Sequence, residues 1–228
     1  MEELFAGFTS VGYRQFIMYA IGGALIWLAV KKEYEPMLLL PIGFGAILTN
    51  LPLSFAVGTE AEPGFLRILL DAGIMTELFP ILIFIAVGAM IDFGPLFKNP
   101  LMIFLGAAAQ LGIFATVLLA VALGFDLKVA AAIGIIGAAD GPTSIYVAKR
   151  FAVQYLGPIS VAAYSYMSLV PIIQPPVIRL LTTKKERTMR MEYREEPVPR
   201  LLKILFPILV TMISGFVAPI SVPLVGSL

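Results

Sequence analysis

The chain repeats uninterrupted apolar windows long enough to cross a bilayer. A helix needs about 17 to 25 mainly apolar residues to cross a hydrocarbon core of about 30 Å, and we count about seven such windows. The windows are continuously apolar and do not alternate with period two, which predicts helices and not barrel strands. The composition agrees: 59% of the residues are hydrophobic and 14% are charged, with a mean hydropathy of +0.94. The predicted spans are 16–30, 37–57, 74–91, 101–124, 129–147, 156–181 and 201–225.

The fold class predicted from these windows is all-α: a polytopic membrane helical bundle, with residues 1–228 forming a single transmembrane domain. A signal peptide is the competing interpretation of the first span. The start "MEELFAGFTS" is acidic and no small-residue cleavage site precedes Lys31 and Lys32, so we expect a retained span. The chain contains no cysteine and no histidine. Disulfides, thiol chemistry and the usual ligands of zinc or haem are therefore excluded, and proton chemistry must use Asp, Glu, Lys or Tyr.

The loop 182–200 carries most of the charge asymmetry of the chain. The positive-inside rule predicts that this loop is cytoplasmic. Such a charge run is either a solvated segment attracted to the membrane surface or a docking surface for a soluble acidic partner. Its basic residues are Lys184, Lys185, Arg187, Arg190, Arg194 and Arg200.

Prolines are expected to break three of the spans. A proline cannot donate to the carbonyl four residues earlier, and unpaired backbone groups cannot face lipid. Broken helices of this kind form ion sites in transporters. The predicted breaks lie at Pro52 in "ILTNLPLS", at Pro142 in "GAADGPTS", and at Pro171, Pro175 and Pro176 in "LVPIIQPP".

Asp140 is the candidate site residue with the clearest physical reason. A carboxylate at the centre of a span costs about 2.5 to 3.5 kcal/mol on insertion scales. We expect Asp140 at the end of one half-helix, near freed carbonyls, with Pro142 in the first position of the next half-helix. The hydroxyls of Thr143 and Ser144 follow within one turn, and Asn50 lies beside the first break. Oxygen ligands of this kind suit Na⁺ or a proton. The alternative is a protonated Asp140 that caps a kinked helix.

Two further polar segments are weaker candidates. Tyr164 and Ser168 share one face of the sixth span, and Tyr166 points roughly the opposite way. Asp92 lies at the end of a span, where a carboxylate solvated at the membrane interface is the expected state.

The segments "GAADGPTSIYVAKR", "GPISVAAYSYMSLVPIIQPPVIRLLTTKKERTMRM" and "VGAMIDFGPL" closely resemble the membrane β subunit of the sodium-pumping biotin-dependent decarboxylases, which include the oxaloacetate, methylmalonyl-CoA and glutaconyl-CoA enzymes. The resemblance covers nearly all of the chain. It implies a transporter-like inverted-repeat fold in which carboxybiotin is decarboxylated while Na⁺ moves outward and a proton is consumed. It also implies that Asp140 is the central Na⁺-binding and proton-linked carboxylate and that Tyr166 takes part in catalysis.

The resemblance further implies a set of partners. Carboxybiotin would be supplied by a biotin carrier protein or domain, beside a carboxyltransferase α subunit and a small membrane γ subunit, in an oligomer in the inner membrane of a prokaryote. No nucleic acid is expected. Family members continue through a second, inverted half, so the C-terminal half of the fold is expected to be missing from this chain. A Na⁺-coupled secondary transporter of a small carboxylate and a non-pumping fragment remain as alternatives.

Overall fold

The structure, a computed structural model, describes residues 7–190 and 198–228, which are mostly helical. Within these residues, β structure is limited to one isolated antiparallel bridge between Gly58 and Pro63. The helices, numbered from Tyr13 onward, are α1 Tyr13–Lys32, α2 Pro36–Asn50, α3 Phe65–Leu69 with a π-helical continuation Leu70–Ile74, α4 Leu78–Met90, α5 Gly94–Lys98, α6 Met102–Ala122, α7 Leu127–Gly134 with a 3₁₀ continuation Ile135–Ala138, α8 Gly141–Phe151, a 3₁₀ turn Val153–Tyr155 leading into α9 Leu156–Leu181, α10 Lys184–Arg187, α11 Arg200–Val217, a 3₁₀ turn Pro219–Ser221 and α12 Val222–Ser227.

Four helices of the described chain are long and apolar enough to cross a membrane: α1, α6, α9 with its leading turn, and α11. The helix pair Phe65–Ile74 and Leu78–Met90 can count as a fifth, broken span. Large apolar side chains cover the outside of α6, where Phe104, Leu111 and Leu118 are about 70% exposed. Exposure on this scale suits a lipid environment and not water. The all-α membrane fold is confirmed, whereas seven crossings and the inverted repeat stay predictions.

The described residues group into two compact units. The first comprises those of Met1–Thr76 with Tyr164–Val177, and the second comprises those of Glu77–Ala163 with Ile178–Leu228. Helix α9 contributes residues to both units. A single transmembrane domain over residues 1–228 therefore stays a prediction.

In the first unit, α1 and α2 pack closely through two glycines. A Cβ atom added at Gly22 would lie 2.7 Å from the Gly43 carbonyl oxygen, and one added at Gly43 would lie 2.7 Å from the Gly22 carbonyl oxygen. Such small residues let the backbones of membrane helices approach each other. The phenol of Tyr19 on α1 donates to the Asn50 carbonyl at 2.9 Å, which ties α1 to the last residue of α2.

In the second unit, α7 and α8 are well buried. Ala130, Ala132 and Ala148 have no exposed surface, and a Cβ atom at Gly134 would lie 2.4 Å from the Val117 side chain of α6. Small residues therefore allow α7 to pack tightly against α6. More than half of the α8 residues are buried as well. The helix that begins after Asp140 is thus enclosed by protein along much of its length.

Two of the three predicted breaks are confirmed. Helix α2 ends at Asn50, and Leu51 takes an extended conformation just before Pro52. Helices α7 and α8 are separate elements on either side of Asp140. The third prediction is wrong, because α9 runs without interruption from Leu156 to Leu181 with Pro171, Pro175 and Pro176 inside it. Each proline removes one helical hydrogen bond, but the φ angle of proline is compatible with a helix, and membrane helices tolerate the loss.

Two other breaks had not been predicted. Residues 75–77 separate the π-helical end of α3 from α4, and Glu77 has a left-handed backbone with φ of 68°. Ala218 leaves helical geometry, with φ of −141° and ψ of 79°, and separates α11 from Pro219 and the turn that follows. Both lie inside windows that the sequence had predicted to be continuous.

The predicted basic loop 182–200 is described only in part, because residues 191–197, including Arg194, lie outside the described residues. Its first part forms α10. The Thr183 backbone N–H and hydroxyl both donate to the Glu186 carboxylate, at 2.7 and 2.8 Å. These bonds keep the pKa of Glu186 below its usual value, the bond from the backbone contributing most. Thr183 and Glu186 thus form a capping box that starts a short helix at the end of α9.

Candidate ion site at a helix break

The break at Asp140 is made by the backbone of two consecutive residues. Ala139 adopts the left-handed conformation with φ of 53°, which L-residues other than glycine adopt at a cost. Asp140 is extended, with φ of −129° and ψ of 102°, and Gly141 begins α8. Pro142 is the second helical residue, where it loses no hydrogen bond because the first N–H groups of a helix have no partner within it.

Asp140 is therefore the N-cap of the second half-helix, which corrects the expectation that it ends the first one and that Pro142 opens the next. The difference has an electrostatic consequence. A carboxylate at a helix N-terminus lies at the positive end of the helix dipole. The charge of Asp140 is thus stabilised by α8 itself, before any cation is considered.

Asp140, Thr143 and Ser144 come together as predicted from their spacing. The Thr143 backbone N–H donates to Oδ1 of Asp140 at 3.4 Å, and the Thr143 hydroxyl donates to Oδ2. The Ser144 hydroxyl donates to the Asp140 backbone carbonyl at 2.8 Å. Asp140 is half-buried and Ser144 is fully buried. The start of α8 therefore carries a carboxylate, two hydroxyls and a backbone carbonyl within one turn, with Thr143 bound to the carboxylate and Ser144 bound to the carbonyl.

The oxygen atoms of Asp140, Thr143 and Ser144 are suitable ligands for a hard monovalent cation. Oxygen is the ligand type that suits ions such as Na⁺. Within the described residues no group of three or more Asp, Glu, His or Cys side chains could hold a metal ion. A single carboxylate with neutral oxygen atoms can bind and release one positive charge. The capping half of the alternative interpretation is also observed, since Asp140 does cap α8.

Asn50 and Tyr166 belong to the first unit. Asn50 is the last residue of α2, and its side-chain amide donates to the Ala46 carbonyl at 2.8 Å. Tyr166 is 38% exposed. Ser168, two residues along α9, is buried and donates to the Tyr164 carbonyl at 2.9 Å. Their participation in one site with Asp140 stays a prediction.

Asp92 is exposed, as expected for a carboxylate at the end of a span. Its Oδ1 accepts from the Gly94 N–H at 2.9 Å, just before α5. This is a local turn contact, and it gives Asp92 a structural role at the start of that helix.

A cluster around Glu77 was missed by the sequence analysis. The Glu77 carboxylate binds the Lys149 ammonium at 2.8 Å and the Arg150 guanidinium at 3.0 Å. The Arg150 guanidinium also lies over the Tyr146 ring, 4.8 Å from its centroid. A weaker signal was available, because Glu77 lies inside the predicted span 74–91, although near its end, where the insertion cost of a carboxylate is smaller than at the centre. The partners were not predictable, since they lie more than 70 residues further along the chain.

The fold and the site together define an integral membrane protein with a carboxylate at the break of a discontinuous helix. The profile of the family described as "Na+-transporting oxaloacetate decarboxylase beta subunit" matches residues 14–228. The chain belongs to this family. The predicted membrane location is thereby confirmed, because this family consists of integral membrane subunits.

Several curated relatives support this assignment. The chain is 49% identical to the glutaconyl-CoA decarboxylase subunit beta of Acidaminococcus fermentans and covers 58% of that protein with 98% of its own length. It is 51% identical to the methylmalonyl-CoA decarboxylase subunit beta of Veillonella parvula, again over 98% of this chain and 58% of the relative. Identity to the oxaloacetate decarboxylase beta chain of Klebsiella pneumoniae is 40%, over 96% and 64%. The chain thus spans less than two thirds of the length of these relatives.

Proposed function

We propose that this chain is part of a membrane subunit that decarboxylates carboxybiotin and couples the reaction to outward Na⁺ transport with proton uptake. The observation that carries the proposal is the Asp140 carboxylate at a helix break within an apolar segment, with the hydroxyls of Thr143 and Ser144 in the same turn. Membership of a family described as Na⁺-transporting supports it. Moving one Na⁺ outward against about 100 mV costs about 2.3 kcal/mol, so the transport must be driven by a reaction.

Competition at Asp140 provides the coupling. The carboxylate holds either the transported Na⁺ or a proton, because both occupy the same oxygen atoms. Thr143 donates its hydroxyl proton to Oδ2 in the observed state. Rotation of that hydroxyl turns a lone pair toward the same point and makes Thr143 a ligand. The Ser144 hydroxyl and Asn50 are the further proposed Na⁺ ligands.

Decarboxylation of carboxybiotin consumes one proton. When the C–N bond of the N-carboxyl group breaks, CO₂ leaves, the electron pair stays on the ureido nitrogen, and that nitrogen takes up one proton. Asp140 holds this proton after Na⁺ has left. Tyr166 acts as a relay or as a hydrogen-bond partner in the transfer.

The partners follow from the substrate. Carboxybiotin is carried by a biotin carrier protein or domain and is not attached to this chain, and a carboxyltransferase α subunit loads it. A small membrane γ subunit completes the proposed oligomer. The basic loop 182–200 faces the cytoplasm, where the soluble partners lie.

The test replaces Asp140 in the complete complex that contains this chain, reconstituted into vesicles. Asp140→Asn should lower Na⁺-dependent decarboxylation and ²²Na⁺ uptake by about 10²-fold or more, the scale of a lost proton-transfer group. Carboxyl transfer by the soluble subunit should be unchanged. Near-normal Na⁺ uptake by the variant would refute the assignment.

Asp126→Asn is the matched control. Asp126 is the N-cap of α7 and accepts from the Lys128 N–H at 3.0 Å, so it has the same local role, but it is exposed. Its replacement should leave both activities near those of the parent. Asn caps a helix about as well as Asp, so both variants keep the cap and lose only the charge at the helix N-terminus. Equal losses in the two variants would mean that this loss of charge, and not ion binding, explains the Asp140 result. Na⁺ uptake with a small carboxylate, in vesicles without biotin-containing partners, would instead support the secondary transporter.

A further inference from the structure

Glu77 is a buried carboxylate for which the proposed mechanism has no role. Its side chain is 10% exposed, and its two carboxylate oxygens bind different cations: Oε1 accepts from Lys149 Nζ at 2.8 Å, and Oε2 accepts from Arg150 Nη2 at 3.0 Å. Both cations lie in the last turn of α8. One carboxylate thus holds the C-terminal end of this helix at two adjacent points.

The backbone conformation of Glu77 sets the position of its carboxylate. Glu77 is the residue before α4, and its carbonyl accepts from the Ile81 N–H at 3.2 Å. Its φ of 68° is left-handed, a costly conformation for a residue with a long side chain. A strained backbone and a buried charge at one residue indicate that its placement matters more than local stability.

Helix α8 connects this cluster to the candidate ion site. Asp140 caps its N-terminus, while Lys149 and Arg150 lie at its other end. A helix is a stiff element that advances about 1.5 Å per residue, so a displacement of one end moves the other. The Tyr146 hydroxyl adds a second attachment, donating to the Ile220 carbonyl at 2.8 Å in the turn after α11.

We propose that Glu77 is a positioning residue for the ion site: by holding Lys149 and Arg150, it sets the position of α8 and hence of the Asp140 carboxylate. This inference rests on the proposed function of Asp140. Loss of the attachment leaves the side chains of Asp140, Thr143 and Ser144 intact but holds the first turn of α8, which carries all three, less firmly in place. Na⁺ affinity is therefore affected more than the rate at saturating Na⁺.

The test is Glu77→Gln in the complete reconstituted complex, which keeps the shape of the side chain and removes its charge. The half-saturating Na⁺ concentration for decarboxylation should rise by at least about fivefold, or about 1 kcal/mol at 1.4 kcal/mol per decade. The rate at saturating Na⁺ should fall by a smaller factor. Asp71→Asn is the control, because Asp71 pairs with Arg67 at 3.8 Å on an exposed surface and should change neither value.

A double variant separates positioning from charge balance. Glu77→Gln leaves two cations without a carboxylate, which can lower the amount of folded protein. Adding Lys149→Gln removes one of them and should restore membrane levels, while the half-saturating Na⁺ concentration should stay raised because the attachment is still missing. A return to the parent value in the double variant would overturn the proposal.

Lys149→Gln alone covers the case in which Glu77→Gln does not reach the membrane. It keeps the pair between Glu77 and Arg150 and should raise the half-saturating Na⁺ concentration by a smaller factor. An unchanged half-saturating Na⁺ concentration would also refute the positioning role of Glu77.

Asp140→Asn distinguishes failure of the positioning role from failure of the proposed function. If it abolishes Na⁺-dependent turnover while the Glu77 and Lys149 variants keep the parent half-saturation, only the positioning role fails. If Asp140→Asn retains turnover, the proposed function fails.

Discussion

Asp140 and Glu77 are both carboxylates within apolar segments, but their surroundings suit them to different tasks. Asp140 is held by neutral donors, the amide and hydroxyl of Thr143. Neutral donors can be exchanged for an ion without leaving an unpaired charge. The buried Glu77 carboxylate is paired with two cations, and separating it from them would leave an unpaired buried charge, which is costly. Asp140 is therefore the residue suited to ion exchange, and Glu77 is suited to a permanent structural attachment.

Tyr166 can be tested at the same scale. Tyr166→Phe removes only the hydroxyl of a side chain that is 38% exposed, so the chain should fold normally. If the hydroxyl relays the proton, turnover should slow by up to about 10²-fold and its pH dependence should change. Tyr164→Phe is the matched comparison, two residues earlier on the same helix. Unchanged pH and Na⁺ dependence for Tyr166→Phe, with a change for Tyr164→Phe, would assign the role to Tyr164.

At the scale of secondary-structure elements, the break between α7 and α8 has a cause that the sequence alone did not indicate. From the sequence, Pro142 was expected to cause the break, because proline cannot donate to the Ala138 carbonyl. The structure attributes it to Ala139, which is left-handed, and to Asp140, which is extended. Pro142 lies in the first turn of α8, where its missing N–H costs nothing. Proline thus favours the start of α8 without being required for the break.

Pro142→Ala should consequently have a small effect. The backbone at Ala139 and Asp140 should keep its geometry, and the contacts of Asp140 with Thr143 and Ser144 should persist. The half-saturating Na⁺ concentration for decarboxylation should stay within about twofold of the parent, under about 0.5 kcal/mol at 1.4 kcal/mol per decade. A marked rise with normal membrane levels would show that the proline itself holds the two half-helices apart.

At the scale of the whole molecule, orientation in the membrane is predicted by the basic loop. The chain contains no cysteine, so a single introduced thiol gives an unambiguous label. Met189 lies in the described part of the loop and is 61% exposed. Met189→Cys should react with a membrane-impermeant maleimide in inverted vesicles and remain unlabelled in right-side-out vesicles until these are permeabilised. The cysteine-free parent is the control, and the opposite labelling pattern would reverse the topology.

The sequence by itself determined the features that depend on local geometry and on solvent. Long apolar windows must become helices, because lipid offers no hydrogen bonds to an open backbone. Asp140, Thr143 and Ser144 lie within one turn, so their contacts follow from helical spacing alone. The end of α2 at Asn50 is also a local effect, because Pro52 disfavours a helical conformation at Leu51. These features need no information about the rest of the chain.

Only the tertiary structure decided the features that depend on distant neighbours. The pairing of Glu77 with Lys149 and Arg150 joins residues more than 70 positions apart, and no local rule specifies that contact. Helix α9 continues through Pro171, Pro175 and Pro176, whereas the predicted spans 74–91 and 201–225 break at Glu77 and Ala218. Local preference at such positions amounts to a few kcal/mol. Packing and charge pairing contribute energies of the same size, so the surrounding structure determines whether a helix continues or ends there.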